Sequence, residues 1–265
     1  ALAVPQIVEA IGVLDRDPQV DVIFNGHTHQ AYTWDAPVPG DPTRTRPIIQ
    51  TGQYGDNVGQ VQLTIDPVTK AVTAYSARNV ARTTTADADL VAAYPRVAEV
   101  KRIVDAALAK AAEVGNQPVG SVTGDVTTAF SGGSYVDGRW VGGIRDDRGS
   151  ESALGDLVAN ALRDGLPADQ GTADLGVVNP GGLRADLRYA GDTSSNPANT
   201  DGVVTYAEAN SVLPFVNNIW TVDLTGAQLE DVLEQQWQPS GSSRPFLALG
   251  LSDNVRVTQD ASRPV

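Results

Sequence analysis

Asn25-Gly26-His27-Thr28-His29 decides how the rest of the chain is read. It follows Val20-Asp21-Val22-Ile23-Phe24, an apolar run flanked by polar and turn residues that predicts a buried strand of the parallel kind. The 265 residues hold 2 histidines, and both lie in this stretch. In extended backbone, residues i and i+2 point to one side with Cα atoms roughly 6–7 Å apart. Two imidazoles so placed reach either one metal or two neighbouring ions, which sit about 3.5–4 Å apart in two-metal hydrolases. Gly26 lets the backbone come close, and the end of a parallel strand is where α/β sheets place ligands. The same residues also describe an ordinary solvent-facing loop.

Composition narrows the classes. Hydrophobic residues make up 41% and charged residues 19%, the balance of a globular chain long enough for one or two domains. No stretch approaches the roughly 18–20 apolar residues of a membrane span. The net charge of −13 argues against non-specific nucleic-acid binding, which needs cations to neutralise phosphates. A site for any anionic ligand in so acidic a chain then needs local metals or arginines. The absence of cysteine removes disulfides, thiolate zinc sites and cysteine nucleophiles. With no methionine and no signal-like start, the chain reads as a processed product, an isolated domain or one piece of a nicked protein.

Outward from the histidines, Ile7, Ile11 and Leu14 predict one face of a helix over Val4 to Leu14. A Pro-rich loop is expected from Asp35 to Pro47, then strands over 47–51, 58–65 and 71–77, the last two joined by a turn at Asp66 to Lys70. Asp87 is placed to cap a helix from about Ala88 to Val114, with an apolar stripe through Leu90, Val97, Val100, Ile103, Val104, Ala107 and Leu108, interrupted by Pro95. Gly115-Asn116 ends it.

From Pro118 a second domain begins. Gly132-Gly133 and Gly142-Gly143 bracket a flexible, exposed loop containing Trp140. Ser150 or Ser152 caps a helix whose face is Leu154, Leu157, Val158, Ala161 and Leu162. A strand over Leu175 to Val178 runs into Asn179-Pro180-Gly181-Gly182-Leu183-Arg184, where the glycines permit a tight turn. Arg184 offers a planar fork of donors and a face for stacking. Phe215, in Leu213-Pro214-Phe215-Val216-Asn217, reads from the residues alone as a filler of the core. Thr225 to Glu234 reads as a turn and an amphipathic helix.

These stretches together resemble the family of 5'-nucleotidases, UDP-sugar hydrolases and 2',3'-cyclic-nucleotide phosphodiesterases. Asn-Gly-His-Thr-His is similar to the last metal motif of their calcineurin-like metallophosphoesterase domain, which implies His27 on one ion and His29 on the other. Arg148 and Glu151, with the following Leu154-Gly155, resemble the opening of the C-terminal domain, where an arginine contacts substrate. Asn179 and Arg184 match the Asn-Gly-Gly-Gly-Ile-Arg that binds the nucleoside, with Pro180 replacing a small residue. Phe215 and Asn217 match Leu-Pro-Phe-Gly-Asn, whose ring forms one wall of a base clamp; Val216 stands in place of its glycine.

The resemblance implies an α/β and α+β chain. Residues 1–82 would be the C-terminal part of a four-layer metallophosphoesterase sandwich, 83–117 a linker helix, and 118–265 a 5'-nucleotidase C-terminal substrate-binding domain truncated at its end. It implies two divalent ions (Zn, Mn or similar) in a site incomplete here, because the family's Asp-x-His, Gly-Asp and Asn-His-Glu motifs and a further histidine are not found. The segment for the second half of the base clamp is also expected after Val265. The implied parent is a secreted, periplasmic or cell-surface phosphohydrolase of nucleotides, and this chain alone is expected to be inactive. A companion fragment would carry the remaining metal motifs; neither a nucleic-acid partner nor a membrane span is expected. Alternatives are a non-catalytic nucleotide-binding module and a thiosulfohydrolase-like relative.

Overall fold

In the computed structural model the described residues are 16–137 and 139–258. The helix expected over Val4 to Leu14 lies outside them. Residues 1–98 and 99–265 form two compact units. The architecture is mixed α/β, with several small sheets.

In the first unit, β1 (Ile23–Phe24) pairs in parallel with β3 (Asp41–Thr51), and β2 (Ala31–Val38) pairs antiparallel with β3 on its other edge. The prolines of Asp35 to Pro47 predict a loop. Instead it is a long hairpin turning at Pro39-Gly40, with Gly40 at φ +79°. Its prolines are tolerated because Pro47 precedes Ile48, the first residue β1 pairs with, so there β3 has a neighbour on one edge only. Tyr32, Trp34, Ala36 and Val38 face one way along β2, and the Tyr32 and Trp34 rings stack 3.8 Å apart.

Ile23, Ala36 and Ile48 form a small core. The buried strand expected over 20–24 is shorter than read, and Phe24 is exposed. β4 (Asn57–Ile65) and β5 (Val72–Ala81) form the expected hairpin. Its turn is held by Asp66, whose carboxylate accepts the N–H groups of Val68 and Thr69 at 2.8 and 2.7 Å.

The long helix of the sequence reading is two helices, Asp87–Ala93 and Pro95–Gly115. Tyr94, with φ −126° and ψ 105°, breaks them, as the residue before a proline is driven out of helical backbone. Asp87 is not the cap: Ala86 holds that position without a side-chain bond, and Asp87 lies in the first turn. No residue of either helix is buried.

In the second unit, β6 (Pro118–Ser121) pairs with β12 (Val203–Thr205), and β7 (Phe130–Ser131) with β10 (Ile144–Arg145). The stretch read as a flexible loop is the hairpin of β8 (Ser134–Val136) and β9 (Arg139–Val141). Trp140 packs edge-on to Tyr135 at 4.8 Å and tilts against Phe130 at 5.4 Å. The helix Ala153–Asp164 is capped by Ser152, whose Oγ accepts the Gly155 N–H at 3.0 Å. It buries Leu154, Gly155, Val158 and Ala159, while Leu157 stays exposed.

β11 (Val177–Val178) pairs with β13 (Gly250–Leu251) beside that helix. The approach is so close that a Cβ on Gly250 would lie 2.5 Å from the Gly155 carbonyl. Leu154, Val158, Leu183, Leu187, Val204 and Val212 form the unit's core. The helices Tyr206–Val212 and Gly226–Glu234 each open with a capping box, Thr205 with Glu208 and Thr225 with Gln228.

Candidate functional site

The histidine loop leaves β1 at Asn25, whose N–H bonds the Ile49 carbonyl at 3.0 Å and whose amide donates to the Tyr32 hydroxyl at 2.6 Å. Beyond it the backbone is not extended, as the i/i+2 argument assumed. His27 has φ +72° and His29 φ +59°. The Thr28 N–H bonds the Gly26 carbonyl at 2.9 Å, a three-residue turn centred on His27. Such left-handed backbone is strained for residues other than glycine and clusters where strain serves a site. Thr28 accepts from Gln50 at 2.5 Å, which pins the turn to β3. Both imidazoles are exposed, and His29 meets the Tyr54 ring edge-on at 6.2 Å. Among the described residues no group of three His, Cys, Asp or Glu converges.

The second cluster is built on the turn after β11. Asn179 caps the short 3-10 turn Pro180–Gly182, its side-chain oxygen accepting the Gly182 N–H at 3.0 Å. Leu183 then enters the core, which fixes the turn from below. The Arg184 N–H bonds the Val212 carbonyl at 2.9 Å, so the turn lies beside the segment that carries Phe215.

The Arg184 guanidinium stands 5.7 Å from the Phe215 ring centroid, within cation–π range, and its Nη1 donates to the Gly181 carbonyl at 3.4 Å. Arg148 also reaches this turn: a Cβ on Gly181 would lie 3.1 Å from its Nη1. Phe215 is 56% exposed, so it is not the core filler of the alternative reading. Val216 follows with φ +51°, strained backbone for a β-branched residue. Asn217 is exposed, two residues from Phe215. Arg148, Asn179, Arg184 and Phe215 are thus brought together around one turn.

Sequence reading missed the charges beneath this turn. Arg145 donates to the Leu183 carbonyl at 3.2 Å and pairs with Asp186 at 3.1 Å; Arg188 pairs with Asp186 at 2.7 Å and Asp125 at 2.9 Å. Both acids have side chains only 5% exposed. Burial pushes the Asp125 carboxyl up, yet the Tyr189 N–H, Arg188 and the Trp140 N–H outweigh it and hold it below the usual range. The signal in sequence was Arg184-Ala185-Asp186-Leu187-Arg188, alternating charges that share a side in extended backbone. Asp146, which grips Arg148, was also passed over.

The family described as 5'-nucleotidase, C-terminal domain, matches residues 118–265, and the chain belongs to it. Relatives extend the likeness over most of the chain. It is 28% identical over 231 residues to the cell wall protein Lmo0130 of Listeria monocytogenes, covering 84% of this chain and 25% of that protein. It is 25% identical over 225 residues to the endonuclease YhcR of Bacillus subtilis, covering 84% and 14%. To the trifunctional nucleotide phosphoesterase protein YfkN of the same organism it is 24% identical over 219 residues, covering 82% and 12%. The chain therefore spans a quarter or less of the length of these relatives. Among the described residues no helix is long and apolar enough to cross a membrane.

Proposed function

We propose that the chain is part of a two-metal phosphohydrolase acting on phosphoesters of extracellular nucleotides. In this reading residues 1–82 are the C-terminal part of a metallophosphoesterase sandwich, 83–117 the linker and 118–265 the substrate-binding domain. Arg148, Asn179, Arg184, Phe215 and Asn217 hold the nucleoside end. The observation that carries it is the Arg184 guanidinium over the Phe215 ring, on a turn shared with Arg148 and Asn179. A planar base stacks on an exposed aromatic, and guanidinium donors meet sugar or phosphate oxygens.

His27 and His29 suit ions such as Zn or Mn by donor chemistry, and both are exposed on left-handed backbone. With no third donor converging among the described residues, they are two ligands of a set completed elsewhere in the parent. Bound there, the ions would activate a water and polarise phosphoryl oxygens. The chain's own share is to bind and orient: Phe215 stacks the base, Arg184 and Arg148 direct hydrogen bonds to the ligand, and Asn179 shapes the turn. A companion fragment carries the missing ligands, and the parent works outside the cytoplasm, a reading supported by a relative named as a cell wall protein.

Phosphate release from AMP with added Zn²⁺ or Mn²⁺ tests the division. The isolated chain is expected to release none while still binding AMP. Turnover by the chain alone would overturn the incomplete metal centre, and failure to bind AMP would overturn the nucleotide site.

A further inference from the structure

Asp146 and Arg148 lie two residues apart on the loop between β10 and the helix Ala153–Asp164. The Asp146 carboxylate accepts from Arg148 Nε at 2.9 and 3.1 Å and from Nη2 at 2.8 Å, which occupies one whole edge of the guanidinium. Both side chains are part-buried, 28% and 19% exposed. The remaining nitrogen, Nη1, is the one that lies against Gly181. The Arg148 carbonyl accepts the Ala248 N–H at 2.8 Å, so backbone and head group are both fixed. Asp146 reaches this position at φ +70°, a conformation aspartate tolerates better than most residues but still at a cost.

Arg184, on the same turn, is different. Its neighbours are the Phe215 ring and a carbonyl, and among the described residues no carboxylate pairs with it. The two arginines therefore present unlike groups: one is a net-neutral pair with a single directed edge, the other a full cation.

We propose that Asp146 is a positioning residue, which locks the Arg148 guanidinium so that its Nη1 edge faces a nucleotide held at the Gly181-Gly182 turn. This rests on the nucleotide-binding reading above. A free arginine loses rotamer entropy when a ligand immobilises it, and a carboxylate partner that already holds it spares the ligand that cost. Arg148 then recognises by direction rather than by net charge.

The test is a double-mutant cycle read by calorimetric titration with AMP. Asp146→Gly deletes the carboxylate at a position whose φ glycine adopts freely, so the loop keeps its path. It is expected to weaken AMP binding about 10-fold, as is Arg148→Ala, and the double variant is expected to be no weaker than Arg148→Ala alone. Asp146→Asn, which keeps the left-handed preference and one acceptor oxygen, should recover part of the loss. If Arg148→Ala weakens binding and Asp146→Gly does not, the inference fails and the site stands. An equal loss from Asp146→Gly with or without Arg148 would give Asp146 a role in loop shape only, and also overturns it. If the unaltered chain does not bind AMP, both readings fall together.

Discussion

The histidine loop and the arginine turn begin alike, each with an asparagine just past a short strand, Asn25 after β1 and Asn179 after β11. They are then held in opposite ways. Around His27 and His29 the backbone is left-handed and the rings are exposed, with the Tyr54 ring edge-on to His29. Around Gly181 the side chains restrain one another: Asp146 grips Arg148, Asn179 caps the turn, and Arg184 rests on Phe215. One arrangement leaves its two imidazoles facing solvent. The other has its geometry set within its own unit, before any ligand arrives.

The largest way to break that contrast is to remove what lies beneath the turn. Asp125→Ala deletes a buried carboxylate that pairs with Arg188 and accepts the N–H groups of Trp140 and Tyr189 at 3.1 and 2.8 Å. Residues 99–265 should lose about 3 kcal/mol in urea denaturation. A loss under about 0.5 kcal/mol would mean the ion pairs do not support the turn.

Phe215→Ala should cost about 1–3 kcal/mol of AMP binding, because a base loses its stacking partner. The same substitution should leave the melting temperature nearly unchanged, since the ring is 56% exposed. An unchanged affinity would remove Phe215 from the site.

Smaller effects sharpen the strain argument. His27→Gly should stabilise the first unit by about 1 kcal/mol by relieving φ +72°, whereas His27→Ala should not. Val216→Gly, at φ +51° and 85% exposed, should give a similar gain in the second unit. Equal stability of the Gly and Ala variants at position 27 would show that the loop stores no strain.

The smallest effect is with pH. For Asp125 and Glu208 alike, burial raises the carboxyl but hydrogen bonds outweigh it; at Glu208 the donors are the Thr205 N–H, Asn199 and the Thr205 hydroxyl. Both groups end below their ordinary values. Their contribution is therefore full above about pH 4.5, where the unfolded carboxyls are also ionised, and is lost as pH falls through the lower folded values. Melting curves should be level from about pH 5 upward and drop below about pH 4, with a smaller drop in Asp125→Asn.

Much of the second unit was legible because its signals are local. Ser152 before a helical stripe, Thr225 three residues before Gln228, and a glycine pair after a strand each carry their own chemistry. The β2–β3 hairpin was not read because Pro37, Pro39, Pro42 and Pro47 spell a loop, and only pairing along β3 shows that they fall where the ladder tolerates them. The alternation of Tyr32, Trp34, Ala36 and Val38 was there to be seen, but the prolines masked it. The histidine motif was recognised from its residues, yet its bent backbone was not, since nothing in the order of side chains announces a left-handed histidine. Asp146 was missed for the opposite reason: an aspartate in a polar loop looks like solvent-facing charge until its partner is seen.

The nucleoside site proposed around Arg184 and Phe215 is expected to bind its ligand without metal. Calorimetric titration of AMP into the chain in the presence of EDTA tests it most directly. Saturable binding that survives chelation and disappears when Arg184→Ala and Phe215→Ala are combined is the expected result. Binding that vanishes with the metal, or that persists in the double variant, would contradict it.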